Sequence, residues 1–83
     1  MRKVNKEILL KALDLEKDGN WDQAHRLIQP YYSMEACWIH AYFHRVEGDL
    51  GNAGYWYSQA GKLMPGYDLK KEWTELYQYM GEL

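Results

Sequence analysis

Gly48-Asp49-Leu50-Gly51-Asn52-Ala53-Gly54-Tyr55-Trp56-Tyr57-Ser58-Gln59-Ala60-Gly61-Lys62-Leu63-Met64-Pro65 is the stretch that decides how this chain folds. Gly48 and Asp49 fill a turn, and the Asp49 carboxylate is placed to accept hydrogen bonds from the unpaired N–H groups that open a helix. Pro65 closes the segment, since proline cannot donate into a helix ladder. A weaker copy of the same order lies upstream, Gly19-Asn20-Trp21-Asp22-Gln23-Ala24 followed by Ile28. Setting Gly19 on Gly48 also sets Asn20 on Asp49, Trp21 on Leu50 and Ala24 on Ala53, with Ala12 and Ala41 in matching places of the preceding helices. The two copies are 29 positions apart, Gly19 to Gly48. Pro30 sets that spacing, because it biases the residue before it away from helical geometry and stops the preceding helix near Gln29.

A turn, small residues at fixed offsets and a closing proline resemble the tetratricopeptide repeat, a helical hairpin of about 34 residues. In that resemblance Ala53 and Ala60 are the small residues at close helix crossings, with Tyr57 the aromatic four positions after Ala53. The likeness covers roughly residues 4 to 66. Trp21-Asp22-Gln23-Ala24-His25 and His44-Arg45-Val46-Glu47-Gly48-Asp49-Leu50-Gly51-Asn52-Ala53-Gly54-Tyr55-Trp56-Tyr57 are also similar to strings in small uncharacterised bacterial proteins of this type. The resemblance implies two hairpins, repeat one over about 5–31 and repeat two over about 34–66, in a fragment of a right-handed superhelix. It implies a protein-interaction scaffold without chemistry of its own.

Eighty-three residues make one domain, 1–83, that buries a smaller share of its surface than a larger one does. Four tryptophans and eight tyrosines offset this, since each ring buries on the order of 150–250 Å². Arrays of this kind need about three units, so a final helix over about 68–82 is expected to cap the stack, with Leu69, Trp73, Leu76, Tyr77 and Met80 as its apolar stripe. A formal charge of −2 without a basic block excludes the electrostatic footprint of a nucleic-acid binder. Met1-Arg2-Lys3 opens in the manner of a signal peptide, but Lys11 and Asp14 interrupt the apolar run after it, and no membrane span is expected. A lone Cys37 has no internal disulfide partner and points to a reducing, cytoplasmic setting.

The class is therefore all-α. Helix one is predicted over Val4–Asp18, with Gly19 ending it, and helix two over Trp21–Gln29. Helix three is predicted from Ser33, helix four from after Asp49 and helix five from after Asp68. No strand pattern and no interdomain linker interrupts them.

Helix three sorts into faces at about 100° per residue. Ala36, Ile39, Phe43 and Val46 make its apolar stripe, while Glu35, Trp38, Tyr42 and Arg45 fall on another side. The tetratricopeptide resemblance turns those four toward a concave ligand groove, along with Lys6, Leu9, Leu13 and Glu16 of helix one. Leucines stand where some family members use lysine and asparagine to clamp a terminal carboxylate, so an amphipathic peptide or a second copy of the chain is the expected partner. The partner-binding set is Leu9, Leu13, Glu35, Trp38, Tyr42 and Arg45. The alternative is that helix five, or a homodimer contact, covers Trp38 and Tyr42.

His40 and His44 stand four apart, with Glu47 three further on, in one strip of helix three. His25 of helix two is expected to face them. Two histidines at i and i+4 are a workable ligand pair for zinc, which makes His25, His40, His44 and Glu47 a candidate metal or small-ligand cluster. The competing expectation is structural, with imidazoles hydrogen-bonded to Asp49, Asn52 or tyrosine hydroxyls. On the structural expectation no metal or other cofactor is bound. A Cys37–His40 dyad is geometrically conceivable but lacks a third, orienting group, and the chain is read as a non-enzyme.

Overall fold

A computed structural model describes residues 4–83, and the Met1-Arg2-Lys3 opening lies outside the described residues. Five helices follow one another: α1 Lys6–Lys17, α2 Trp21–Ile28, α3 Met34–Glu47, α4 Leu50–Gln59 and α5 Leu69–Gly81. No strand occurs among the described residues, and no helix among them is long and apolar enough to cross a membrane.

Short polar side chains start four of these helices. The side-chain oxygens of Asn5, Ser33, Asp49 and Asp68 accept from the N–H groups of Ile8, Ala36, Asn52 and Lys71, at 2.9, 3.1, 3.2 and 2.8 Å. Each such cap contributes about 1 kcal/mol. The Asn5 cap also moves the start of helix one from Val4 to Lys6. Gln29 caps α2 ahead of Pro30. At the other ends, Gly19 and Gly48 take φ of 88° and 86°. Asn20 N–H then reaches Leu15 C=O at 2.8 Å and Asp49 N–H reaches His44 C=O at 3.0 Å. This is the same glycine-terminated closure in both places, so the two positions paired in the sequence share one backbone geometry.

α1 packs on α2 and α3 on α4 as two hairpins, and α3 also touches α1, α2 and α5. That central position explains why residues 36–44 of α3 are buried all round, where the sequence divided them into an inner and an outer face. Ala12, Ala24, Ala41 and Ala53 have no exposed surface, as expected of small residues where helices meet.

The fifth helix takes the alternative of the two places the sequence offered it. It packs across α1 and α3, with no backbone approach to α4, and so closes the face between the two leading helices instead of capping the end of the stack. The result measures 29 × 26 × 24 Å, nearly equal in all directions.

Candidate functional site

The proposed groove is filled by α5. Leu9, Leu13, Trp38 and Tyr42 are 2, 0, 4 and 3% exposed, so the expected groove is closed and the alternative of cover by helix five is the one found, with Lys62 standing over what is left of the Trp38 ring. Glu35 is half-buried, and Arg45 is engaged in an ion pair with Glu72. Trp73 Nε1 donates to Leu13 C=O at 3.0 Å, and the Tyr77 hydroxyl reaches Asp14 at 3.3 Å. Glu16, the remaining acid of this face, has its pKa raised by burial, and Tyr42 beside it has its own pushed up by burial and by Glu16's charge.

Glu72 anchors this arrangement and was missed in the sequence, where it reads as one more solvated acid on an amphipathic helix. It has no exposed surface. Its carboxylate accepts from the Tyr57 hydroxyl at 2.6 and 2.7 Å, from Trp38 Nε1 at 3.2 Å and from Arg45 Nη1 at 2.8 Å. Arg45 Nη2 also donates to Tyr67 C=O. A buried charge is tolerable only when paired and hydrogen-bonded in this way.

The three histidines do converge. His40 and His44 share one face of α3 and are 3 and 6% exposed, while His25 comes from α2 and is half-buried. His25 Nε2 and His40 Nε2 are within hydrogen-bond distance at 3.1 Å, and ring nitrogens of all three histidines lie within 4.8 Å of one another. Two tryptophans enclose the trio. Trp21, fixed by its Nε1 donating to Phe43 C=O at 2.7 Å, stacks on His25 with centroids 4.9 Å apart, and Trp56 of α4 stacks on His40 at 4.0 Å. Neither was assigned to the site from the sequence, although Trp21 precedes His25 by one helical turn.

Glu47 is not a member of the trio. Its Oε2 sits 2.6 Å from His44 Nδ1, behind the ring. That corrects the expectation of a fourth ligand: the carboxylate orients an imidazole rather than facing its neighbours. Asp49 and Asn52, expected as imidazole partners, bond to each other instead, Asn52 donating to both Asp49 oxygens at 3.2 and 3.3 Å.

Burial, then the neighbouring His25 and His44, lowers the His40 pKa to about 3, and burial lowers that of His25. Both rings are therefore neutral near pH 7 and carry nitrogen lone pairs. His40 Nδ1 is buried without a hydrogen-bond partner. Leaving such a group unsatisfied costs about 1–3 kcal/mol; the nitrogen of His40 that meets His25 is the other one, Nε2. Cys37 offers no dyad: it is buried, burial pushes its thiol pKa up, and no hydrogen bond joins it to His40.

Comparison of the chain with protein-family models, curated proteins and solved structures returned no match.

Proposed function

We propose that this chain is a small helical protein that holds a divalent transition metal, zinc in the first instance, through His25, His40 and His44. The 3.1 Å separation of His25 Nε2 and His40 Nε2 carries the reading. Two imidazoles on one tetrahedral zinc, with bonds of about 2.0–2.1 Å, hold their nitrogens roughly 3.3 Å apart. His44, with a ring nitrogen within 4.8 Å of theirs, is the third protein ligand in this reading, and Glu47 stands on its Nδ1. A carboxylate behind a ligating histidine is the usual second support of such sites, since it fixes the tautomer and raises ligand basicity. All-imidazole donors favour zinc, copper or nickel over magnesium or calcium, and a lone reduced thiol fits a cytoplasmic setting.

Isothermal titration of tag-free, chelator-treated protein with zinc, repeated on His25→Gln, tests the assignment. One equivalent bound by the parent, and binding weakened at least tenfold in the variant, is expected. No heat and an unmoved melting temperature at excess zinc would overturn it, because a ligand specific to the folded state raises stability by mass action.

A second reading rests on a separate observation. Tyr32 and Tyr55 are 73 and 56% exposed and both lie against half-buried Trp56, at 5.9 and 5.1 Å between centroids. Exposed contiguous aromatics favour a protein or peptide partner, or a second copy of the chain. The interaction expectation is thereby moved from Trp38 and Tyr42 to this patch. Light scattering of Tyr32→Ser/Tyr55→Ser beside the parent tests self-association, with equal masses counting against it.

A further inference from the structure

A cleft of about 580 Å³ opens between α5 and the segment that leads into it, with Trp38, Lys62, Tyr67, Glu72, Glu75 and Tyr79 on its walls. Trp38 lies about 200° round α3 from His40, so this cleft is separate from the histidine cluster. The Trp38 indole N–H is bonded to Glu72, and its ring lines the cleft while only 4% exposed, so it is reached only when the side chain covering it moves away. On that face stands the Lys62 ammonium, 4.1 Å from the ring centroid. Tyr79 meets Trp38 at 67° and 5.3 Å, a second aromatic wall beside the first. The Lys71 ammonium rests 4.9 Å from the Tyr67 ring, whose hydroxyl donates to Glu75. Neither lysine has a carboxylate within ion-pair distance. Two cations of the chain thus choose ring faces over the acids nearby.

We propose that this cleft is a binding site for an alkylammonium ligand, which seats its cationic head on Trp38 against Tyr79 and Glu75, and that Lys62 is the chain's own displaceable occupant. A ring's quadrupole attracts ammonium groups of any substitution, and aromatic walls suit methylated ones best because these shed water easily. Glu72 supplies no free charge, being neutralised by Arg45. Glu75 is exposed and supplies the counter-charge. Lys62 is an exposed side chain in the segment after α4 and swings out to solvent at little cost. The same ammonium head occurs in a free quaternary amine and in a methylated lysine, and both are offered in the test.

The experiment follows the four tryptophan indole N–H resonances of the full chain during titration with tetramethylammonium chloride, using sodium chloride at equal ionic strength as the blank. Choline and Nε-trimethyl-lysine follow as second arms to separate the two sources. The Trp38 resonance is expected to shift saturably in the millimolar range while that of Trp21 stays in place. Lys62→Ala, by removing the competitor, is expected to tighten binding roughly two- to fivefold, the factor that matches one exposed cation–π contact. Lys11→Ala, an equal charge change on a different face, should leave it unchanged, and Glu75→Gln should weaken it. A Trp38 resonance that moves no more than in sodium chloride overturns the proposal. So does an equal response of the Lys62 and Lys11 variants, which reduces the effect to net charge.

Discussion

The Tyr57 hydroxyl meets both oxygens of the Glu72 carboxylate, at 2.7 and 2.6 Å, in the interior of the protein. Through this contact α4, whose backbone stays clear of α5, is nevertheless tied to it. Burial and the adjacent Glu72 push the tyrosine's pKa well up, so the hydroxyl stays protonated and donates.

Glu72→Gln should be among the most damaging conservative changes in the chain. It leaves the Arg45 guanidinium without its carboxylate, and breaking a buried pair from one side costs about 3–5 kcal/mol. Domains of this size have about 4–12 kcal/mol in total. Urea unfolding is expected to show a large drop in midpoint for Glu72→Gln and a smaller one for Tyr57→Phe. The double variant should cost less than the sum, because the two residues share one network.

Glu47→Gln separates metal support from fold support. Glu47 is exposed and its side chain bonds only the ring behind which it stands. Zinc affinity, read by competition with a chromogenic chelator, is expected to fall about 10–100-fold, the usual loss on removing such a second support. The melting temperature of the metal-free variant should stay within a few degrees of the parent. Equal affinity in both would contradict the orienting role given to Glu47.

Acid should destabilise the metal-free protein through His40. Its folded pKa, about 3, lies below the 6.5 of an unfolded imidazole, so the unfolded chain takes up a proton first as the pH falls. The stability from the neutral ring is complete above pH 6.5 and is lost progressively toward pH 3. His25 from α2 and His44 on α3 oppose the charge, and α4 presents the uncharged Trp56 ring. Each 1 kcal/mol lost lowers the melting temperature by about 4–8 °C. Melts at pH 7.5 and pH 5 should therefore differ by several degrees in the parent, and by clearly less in His40→Gln.

Glycines of the chain should respond with opposite signs. Gly51 and Gly54 lie within α4, and a Cβ there meets nothing within 4 Å. Alanine at either position should stabilise by about 0.5–1 kcal/mol. Gly48 has equal space but a φ of 86°, so Gly48→Ala should destabilise by about 1–2 kcal/mol. Thermal melts of the three single variants check the contrast.

The helices were legible because their signals are local. Ser33, Asp49 and Asp68 cap helices where the sequence placed caps, and Gly19 and Gly48 end them. The histidine trio was legible for a similar reason, since His40 and His44 share a helix face and His25 lies on the adjacent partner. Glu72 was not legible. Its burial depends on where α5 lies, and that is settled by contacts between distant residues such as Trp73 and Leu13, which no spacing rule encodes. The open groove failed for the same reason: Leu9, Leu13, Trp38 and Tyr42 were read as free to meet a partner, and a segment of the same chain meets them.

The crossing of α5 over α1 bears on how the molecule is made. Trp73 Nε1 and Leu13 C=O are joined across 60 positions of the chain. On the ribosome both hairpins emerge before that partner exists, so the α1 and α3 face that α5 covers has no cover until α5 has been made. Between those two stages the nascent chain carries an uncovered apolar face, for which a chaperone or a neighbouring polysome product competes with α5.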